Sequence, residues 1–316
     1  MRILKIWWPL LSSSLAIVLE IWLPNSPKHP PVAEPYFLYL LILASVLFLG
    51  CAVGCCLRAG FRAIIDDKAY FYAAALAALN ALNLVTNKFS LLPAIFFPTP
   101  DRILNVLVTD FPYLFADCLG SSAKLLFTGF FSGAVAGLIT GIAVGFSKKI
   151  SYWVNPLIRI IGPIPPTAWI PIVLVAFPTT FGGGAFLIAL SVWFPTTVMT
   201  SSGIANVQNA FFEVSSTLGA GHYYQIFHVG IPAAMPFIFI GLFTGTCSSF
   251  ITLMTAEMLG VKNGLGWYIN WQREMLSYAN VYAGLIIIAV SFYIFITMFF
   301  KLRDHILVWQ KGVIKW

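Results

Sequence analysis

Residues 213–232, EVSSTLGAGHYYQIFHVGIP, form a polar, glycine-containing segment between two strongly apolar stretches. A glutamate opens the segment, a glycine follows six residues later, and an aliphatic residue comes ten residues after the glycine. The segment ends in Ile-Pro and contains neither Lys nor Arg. To interpret this segment, we first ask which structure the surrounding apolar runs form, and then on which side of that structure the segment lies.

The composition of the chain is that of an integral membrane protein. Hydrophobic residues make up 59% of its 316 residues, charged residues only 9%, and the mean hydropathy is +0.89. A soluble domain averages about 25% charged residues. Continuous apolar runs predict helices and not the alternating segments of a barrel. We therefore expect an all-α, polytopic membrane protein, in which the net charge of +7 reflects topology and not nucleic-acid binding.

Eight apolar segments are long enough, or nearly so, to cross roughly 30 Å of hydrocarbon at about 1.5 Å per residue. They lie at about residues 7–23, 36–57, 69–87, 119–146, 154–177, 183–202, 232–256 and 279–300. The stretch 88–118 is also apolar, but Pro93, Pro98 and Pro100 interrupt it. We predict an elbow and a short helix on the membrane surface there, in preference to a ninth span.

Lys and Arg in the short connections predict the orientation, because cytoplasmic connections carry the excess. With a cytoplasmic N-terminus, eleven of these residues fall inside: Arg2, Lys5, Arg58, Arg62, Lys68, Lys148, Lys149, Lys301, Arg303, Lys311 and Lys315. Five fall outside: Lys28, Lys88, Arg102, Lys262 and Arg273. Lys124 and Arg159 lie near span ends. Both termini and the connection 203–231 are therefore predicted to be cytoplasmic.

The fourth predicted span carries five glycines at a strict spacing of four: Gly129, Gly133, Gly137, Gly141 and Gly145. Such a stripe lets a second helix approach backbone to backbone. At 100° per residue the stripe turns slowly around its helix, which favours a crossing at an angle. Two interpretations remain open: a helix that slides against its neighbours during gating, and static close packing.

The fifth predicted span is broken by prolines, among them Pro163 and Pro165, which remove backbone donors and clash with the preceding turn. A broken helix at membrane depth needs neighbours or water for its freed carbonyls. It is either a bend beside the translocation path, with Trp169 as a gate, or a kinked packing helix. Trp193 in the sixth span is a second gate candidate.

Glu257 follows the seventh span and opens a glycine-rich connection with Gly260, Gly264 and Gly266. A charge near the interface costs much less than one at the bilayer centre, so no transport role is required of it. Two interpretations remain open: Glu257 faces the pathway or orders this connection, or its carboxylate only reaches the headgroups.

No enzyme is indicated by the sequence. It contains no GxxxxGK[ST] loop to hold phosphates, no HExxH, and no evident Ser/His/Asp set. His222 and His228 are six residues apart without an acidic partner, which is a poor metal signal. We predict no catalytic residue, no metal site and no cofactor in this chain.

Residues 213–232 resemble the EAA loop of ABC importer permeases, whose pattern is E-A-A-x3-G-x9-I-x-L-P. Glu213, Gly219 and Pro232 match it, whereas Val214 and Ser215 replace the two alanines. Further stretches look like permeases of the nitrate/sulfonate/taurine importer group: PTP at 98–100, SSAKLLFTGFFSG at 121–133, LIRIIGPIPPTAWIPI at 157–172 and TAEMLGVKNGLGW at 255–267. The resemblance covers roughly residues 97–316.

The resemblance implies a type I ABC importer permease core at 97–316, with about five spans, behind an N-terminal extension of about three spans at 1–96. It implies a second permease chain, two cytosolic ATPases that bind ATP and Mg, and an extracytoplasmic binding protein, all at a bacterial inner membrane. The ATPase-coupling residues would be Glu213, Val214, Ser215, Gly219, His222 and Pro232. The solute would be a small oxyanion, a sulfonate or a related compound. An ATP-independent secondary transporter is the alternative.

Overall fold

The computed structural model describes residues 7–27, 32–57, 59–260 and 263–310. Thirteen α-helices run through these ranges: α1 Trp7–Trp22, α2 Tyr36–Leu57, α3 Ala59–Asn83, α4 Pro100–Thr109, α5 Gly120–Phe146, α6 Lys148–Ile161, α7 Ile170–Ala176, α8 Thr180–Ala205, α9 Asn209–Thr217, α10 His222–Gln225, α11 Ile231–Gly260, α12 Leu265–Glu274 and α13 Tyr278–Ile306. Short π-helical turns precede α5 and α11 and follow α3. The expected all-α class is confirmed.

The predicted count of eight spans is approximate. Within the described residues, six helices are long and apolar enough to cross a membrane. The predicted fifth span is a pair of helices, Lys148–Ile161 and Pro166–Ala176, bent by 86°. The predicted first span is the 16-residue α1, which at about 1.5 Å per residue falls short of a typical bilayer core. The short helix predicted within 88–118 is α4. The hydroxyl of Thr99 caps the first turn of this helix.

Several of the Lys and Arg residues from which the orientation was predicted are not described by the structure. Arg2, Lys5, Lys28, Arg58, Lys262, Lys311 and Lys315 lie outside the described residues. The two chain termini, which were predicted to be cytoplasmic, also lie outside the described residues.

Residues 1–112 and 271–283 form one compact unit, and residues 113–270 and 284–316 form another. In the first unit, Ala16 of α1 packs with Phe37 and Leu41 of α2 in a fully buried apolar cluster. Asp101 of α4 accepts a 2.7 Å hydrogen bond from the backbone N–H of Phe37, which satisfies a donor in the first turn of α2. Burial raises the pKa of the Asp101 carboxyl above its usual value, and this hydrogen bond opposes the rise.

A buried ion pair joins α1 to the end of α3. The ammonium of Lys88 lies 2.9 Å from a carboxylate oxygen of Glu20. Lys88 also donates to the carbonyl of Leu23 at 2.8 Å and to the side chain of Asn25 at 2.7 Å. The sequence-based interpretation of Lys88 as a loop cation was therefore wrong. Its three donors all have acceptors within the fold, so it lies buried at the end of a span.

The second unit is organised by the close contact of α5 with α8. All five stripe glycines of α5 face α8, at Ile188, Ala189, Thr196, Thr200 and Ile204 in that order. A Cβ at Gly133 would lie 2.8 Å from the Cα of Ala189, and one at Gly141 would lie 2.6 Å from the Cβ of Thr200. The glycine row is spaced by four, and so are Thr196, Thr200 and Ile204 on α8, which is the small-residue spacing that lets two helices approach backbone to backbone.

The order of these contacts shows that α5 and α8 run parallel. A chain that leaves the end of α5 at Phe146 must therefore return along the full length of the pair before α8 begins at Thr180. The bent pair α6–α7 occupies this return. The pair α6–α7 is consequently a broken span that crosses the membrane, and not a re-entrant loop.

The helices α11 and α13 complete the second unit. α11 runs antiparallel to α8, with Gly203 against Phe237 and Gly245 against Val192. α13 packs on α11 through aromatic rings, such as Phe250 with Phe292 at 4.8 Å between centroids. Phe130 of α5 meets Phe295 of α13 edge to face at 5.7 Å. Small residues thus line one side of the bundle, and large rings line the other.

Replacing Gly133 by Leu should lower the stability of the protein, because the new side chain meets the backbone of Ala189, which cannot rotate away. Overpacking of this kind costs about 1–3 kcal/mol. We expect the thermal unfolding midpoint in detergent to fall by about 5 °C or more. Val135→Leu, on the exposed face of the same helix, is the control and should leave the midpoint unchanged. Equal midpoints for the two variants would contradict the close-packing account.

Breaking the buried ion pair on one side should cost more than removing both charges. Lys88→Met leaves the Glu20 carboxylate buried, a change that costs about 3–5 kcal/mol in comparable pairs. The double variant Glu20→Leu/Lys88→Met should recover much of that loss. Thermal unfolding in detergent measures both, with exposed Lys68→Met as control. If the double variant is less stable than Lys88→Met, the loss of stability does not come from the unpaired Glu20 carboxylate, and the prediction is wrong.

Candidate functional site

The connection between α8 and α11 holds the sequence-predicted coupling residues on two short helices. Asn206 ends α8, and Gln208, in an extended conformation, starts α9. Gly221, also extended, starts α10. The chain then continues through a π-helical turn at 226–230 into α11, where Pro232 is the second residue. The predicted residues therefore form a compact helix–turn–helix and not an open loop.

Gly219 provides the turn between the two helices. Its φ is +84°, in the left-handed region that side chains disfavour. Its N–H donates to the carbonyl of Ser216 at 2.9 Å, and the N–H of Ala220 donates to the carbonyl of Ser215 at 3.0 Å. These two bonds are the Schellman ending of a helix. A Cβ at Gly219 would meet no atom within 4 Å, so the requirement for glycine is one of backbone conformation and not of space.

Gln225 of α10 connects the two short helices. Its side-chain amide donates to the Ser216 hydroxyl at 2.6 Å, to the Ser215 hydroxyl at 3.1 Å and to the carbonyl of Phe212 at 3.2 Å. Ser215, one of the residues that replace the alanines of the EAA pattern, thus contributes a hydrogen bond that alanine could not make. Gln225 was not among the predicted residues, because a contact ten residues away across a turn leaves no periodic pattern in the sequence.

An exposed apolar surface covers α9, α10 and the turn after them. Leu218 is 82% exposed and Tyr223 is 79% exposed, and four further apolar or aromatic side chains are also exposed. The complete surface consists of Phe211, Val214, Leu218, Tyr223, Tyr224 and Phe227. Glu213 and His222 are exposed beside it. We call this set the aromatic surface. Its density of large apolar groups on a polar connection is typical of a protein-binding site.

Phe146, the last residue of α5, connects the short helices to the bundle. Its ring meets that of Phe212 edge to face at 6.2 Å. The same ring covers Gly230, where any Cβ would overlap it. Ile231 and Phe146 also pack on the buried cluster of Ile204, Ala234 and Ile238. Through Phe146, α9 is therefore in contact with the ends of α5, α8 and α11.

Three of the pathway candidates, Pro163, Pro165 and Trp169, lie at the bend between α6 and α7. Pro163 and Pro165 are exposed. Gly162, next to them, packs directly under the ring of Phe194 of α8, where a Cβ would overlap it. Trp169 is half-buried against the apolar cluster around Val173, and its buried indole N–H has no hydrogen-bond partner among the described residues. Its role as a gate remains a prediction.

Trp193 is held between α8 and α5. Its indole N–H donates to the Thr140 hydroxyl at 3.0 Å, and that hydroxyl lies 2.8 Å from the Thr197 hydroxyl. Both bonds cross the glycine-lined contact. A gating role for Trp193 also remains a prediction, and any rotation of its ring would first break the bond to Thr140.

Glu257 is fully buried at the end of α11. Its carboxylate accepts a 2.8 Å hydrogen bond from the N–H of Gly266, and Gly264 lies against it with φ at +134°. The N–H of Leu265 donates to the Ser122 hydroxyl of α5 at 2.9 Å. Of the two roles expected for Glu257, this geometry favours ordering the connection. A pathway role remains a prediction.

The chain was compared with known protein families and structures. Residues 133–307, more than half of the chain, match the family described as binding-protein-dependent transport system inner membrane component. The taurine transport system permease protein TauC of Escherichia coli K12 is 28% identical over 68% of this chain and 80% of its own length.

Two further relatives match about half of the chain. The putative aliphatic sulfonates transport permease protein SsuC of Bacillus subtilis is 34% identical over 51% of this chain and 59% of its own length. The nitrate import permease protein NrtB of Synechocystis is 31% identical over 50% of this chain and 59% of its own length.

A solved structure of the MetNI methionine ABC transporter, inward facing, matches with a TM-score of 0.51 at 17% identity. The match covers 61% of this chain and 96% of that one, and it supports the fold. Together with the family match, the helical core and the connection between α8 and α11 identify the protein. The chain belongs to the family of binding-protein-dependent transport system inner membrane components.

Proposed function

We propose that this permease binds a cytosolic ATPase through the aromatic surface on α9 and α10 and takes up the power stroke there. The observation that carries the proposal is the combination of an exposed apolar surface with a rigid internal frame. Gly219 and Gln225 hold the two helices in one arrangement, and Phe146 ties them to three spans. Because α9 and α10 are held in one arrangement, a movement of the bound ATPase would shift both helices together.

The orientation follows from the charge pattern. Positive residues accumulate at the end of the bundle that carries this connection, including Lys148, Lys149, Lys301 and Arg303. The positive-inside rule assigns that end to the cytoplasm. The N- and C-termini would then be cytoplasmic, in the inner membrane of a bacterium. The connection after α11, which Glu257 holds through Gly266, would face the outside, where a binding protein delivers solute.

The chain has no phosphate-binding loop of its own, so ATP and Mg would be bound by the partner subunits. We propose a complex of two permease chains, identical or paired, two ATPases and one extracytoplasmic binding protein. Closure of the ATPases on ATP would shift α9, and Phe146 would pass the shift to α5 and α11. The bend at Pro163 and Pro165, together with Trp169 and Trp193, would respond beside the pathway between the two chains.

The solute class is inferred from the relatives. Their names refer to taurine, aliphatic sulfonates and nitrate, so we propose a small oxyanion, a sulfonate or a related compound. Membership of a binding-protein-dependent family argues against the alternative of an ATP-independent secondary transporter.

Leu218→Asp should weaken binding of the ATPase, because it places a charge at the most exposed apolar position of the aromatic surface. Loss of one buried apolar anchor together with desolvation of a carboxylate should reduce affinity by about tenfold or more. Co-purification of the ATPase with the tagged permease in mild detergent measures it. Val308→Asp, an exposed apolar position near the C-terminus, is the control. Equal recovery of ATPase with both variants would refute the docking surface.

Gly219→Ala should reduce transport per ATP hydrolysed, because the left-handed conformation costs alanine about 1–2 kcal/mol and loosens the turn. Gly221→Ala is a closely matched control, since Gly221 has an ordinary φ of −72° and equal space around it. Uptake and ATP hydrolysis by the assembled complex in proteoliposomes give the ratio. If both variants transport alike, the conformation of Gly219 is not needed for coupling.

A further inference from the structure

A cavity of about 460 Å³ opens at the start of α5, at the opposite end of the bundle from the aromatic surface. Its polar lining comes from the π-helical turn before α5, from the first turns of α5, and from the connection after α11. Tyr113, Asp117, Ser121, Lys124 and Asn263 contribute that lining. Such a volume suits a small polar solute.

The walls of this cavity are held by the packing around Glu257. The connection that supplies Asn263 is bonded at Gly266 to the buried Glu257 carboxylate, and at Leu265 to Ser122 of α5. On another side, the ring of Tyr113 packs against that of Tyr268 at 6.0 Å between centroids. The cavity is therefore built from fixed elements, and Glu257 acts as a positioning residue for it.

Among the described residues, the cavity lining holds one acidic and one basic side chain, and these two do not pair with each other. Asp117 and Lys124 are both exposed within a described part of the chain, and no ion pair within 4.0 Å joins them. They are seven residues apart, which separates their backbones by roughly 10 Å along the helix axis. Because the two groups do not meet in an ion pair, both remain available to a solute in the cavity.

The position of Lys124 is unfavourable for a surface that faces lipid. It lies within the span Tyr113–Phe146, where a charged side chain faces a bundle interior or a water-filled cavity. Hydroxyl side chains continue from it along α5 at Thr128 and Ser132, both exposed, and at the partly buried Thr140. Ala136 interrupts this series, so eight residues separate Ser132 from Thr140. Each hydroxyl donates to a carbonyl of its own helix. This series leads from the cavity to the Thr140–Trp193 contact.

We propose that this cavity is a solute site for a small zwitterion, with an ammonium facing Asp117 and an oxyanion facing Lys124, Ser121 and Asn263. The inference rests on the proposed function, which places the cavity at the outer mouth of the pathway. It separates this chain from importers of plain anions, because an unpaired carboxylate repels nitrate or an alkanesulfonate and attracts only a solute that also carries a cation.

The test is binding of three matched probes to the full chain in detergent, without ATP. Taurine carries both charges, ethanesulfonate carries only the anion, and ethylammonium carries only the cation. Equilibrium dialysis with labelled probes should give an affinity for taurine about tenfold higher than for either single-charge probe, as expected for one charge-assisted contact at each end.

Two variants test which side chain of the cavity binds which charged end of the solute. Lys124→Gln should weaken binding of taurine by about tenfold. Asp117→Asn should weaken taurine by a similar factor but should leave ethanesulfonate unchanged or tighter. Lys148→Gln, an exposed lysine beyond the far end of α5, makes the same change in charge and should alter neither.

Three results would overturn the zwitterion site: no binding of taurine, equal affinity for taurine and ethanesulfonate, or unchanged affinities in both cavity variants. The same preparations are assayed for co-purification of the ATPase. If the ATPase is recovered and taurine shows no advantage, the site is wrong and the permease function stands. If wild-type protein recovers no ATPase under several mild detergents, the proposed function itself fails.

Discussion

The absence of side chains along one face of α5 is the constraint on which the rest of the second unit depends. Because five glycines let α8 lie against the α5 backbone, polar groups can cross the contact, as Trp193 and Thr140 do. The parallel course of the two helices then requires the chain between them to return through the membrane. That return is broken by prolines, and the ring of Phe194 over Gly162 holds the bend against α8. The lack of Cβ atoms along α5 thus permits the close contact with α8, and the bend between α6 and α7 packs against the same helix.

Much of the fold was predictable because hydrocarbon tolerates so few structures. Apolar runs must be helical, and a strict spacing of four glycines must meet another helix. The all-α class followed from the first constraint. The count of spans was less secure, because α1 is short and the proline-rich segment is bent by 86°. Which helix meets the stripe, and in which direction it runs, depends on contacts between distant residues that one sequence does not display.

The same limit applies to the functional site. The spacing from Glu213 through Gly219 to Pro232 indicated the connection before its structure was known. Gln225 and Phe146 were not predictable, because their partners lie across a turn or on another span. Lys88 was misassigned for a related reason: a lysine reads as a loop residue unless its carboxylate partner, 68 residues earlier in Glu20, is known to lie beside it. Buried polar groups are where long-range structure outweighs local sequence.

The Glu20–Lys88 pair also bears on how the protein enters the membrane. The first helix carries a carboxylate in its last turn, and this carboxylate must be either solvated or neutralised. During synthesis, its partner emerges only after the second and third helices have been made. The first helix is therefore expected to remain at the membrane surface, or inside the insertion machinery, until Lys88 arrives. The N-terminal helices would then integrate as a group, and the order of synthesis would set the order of insertion.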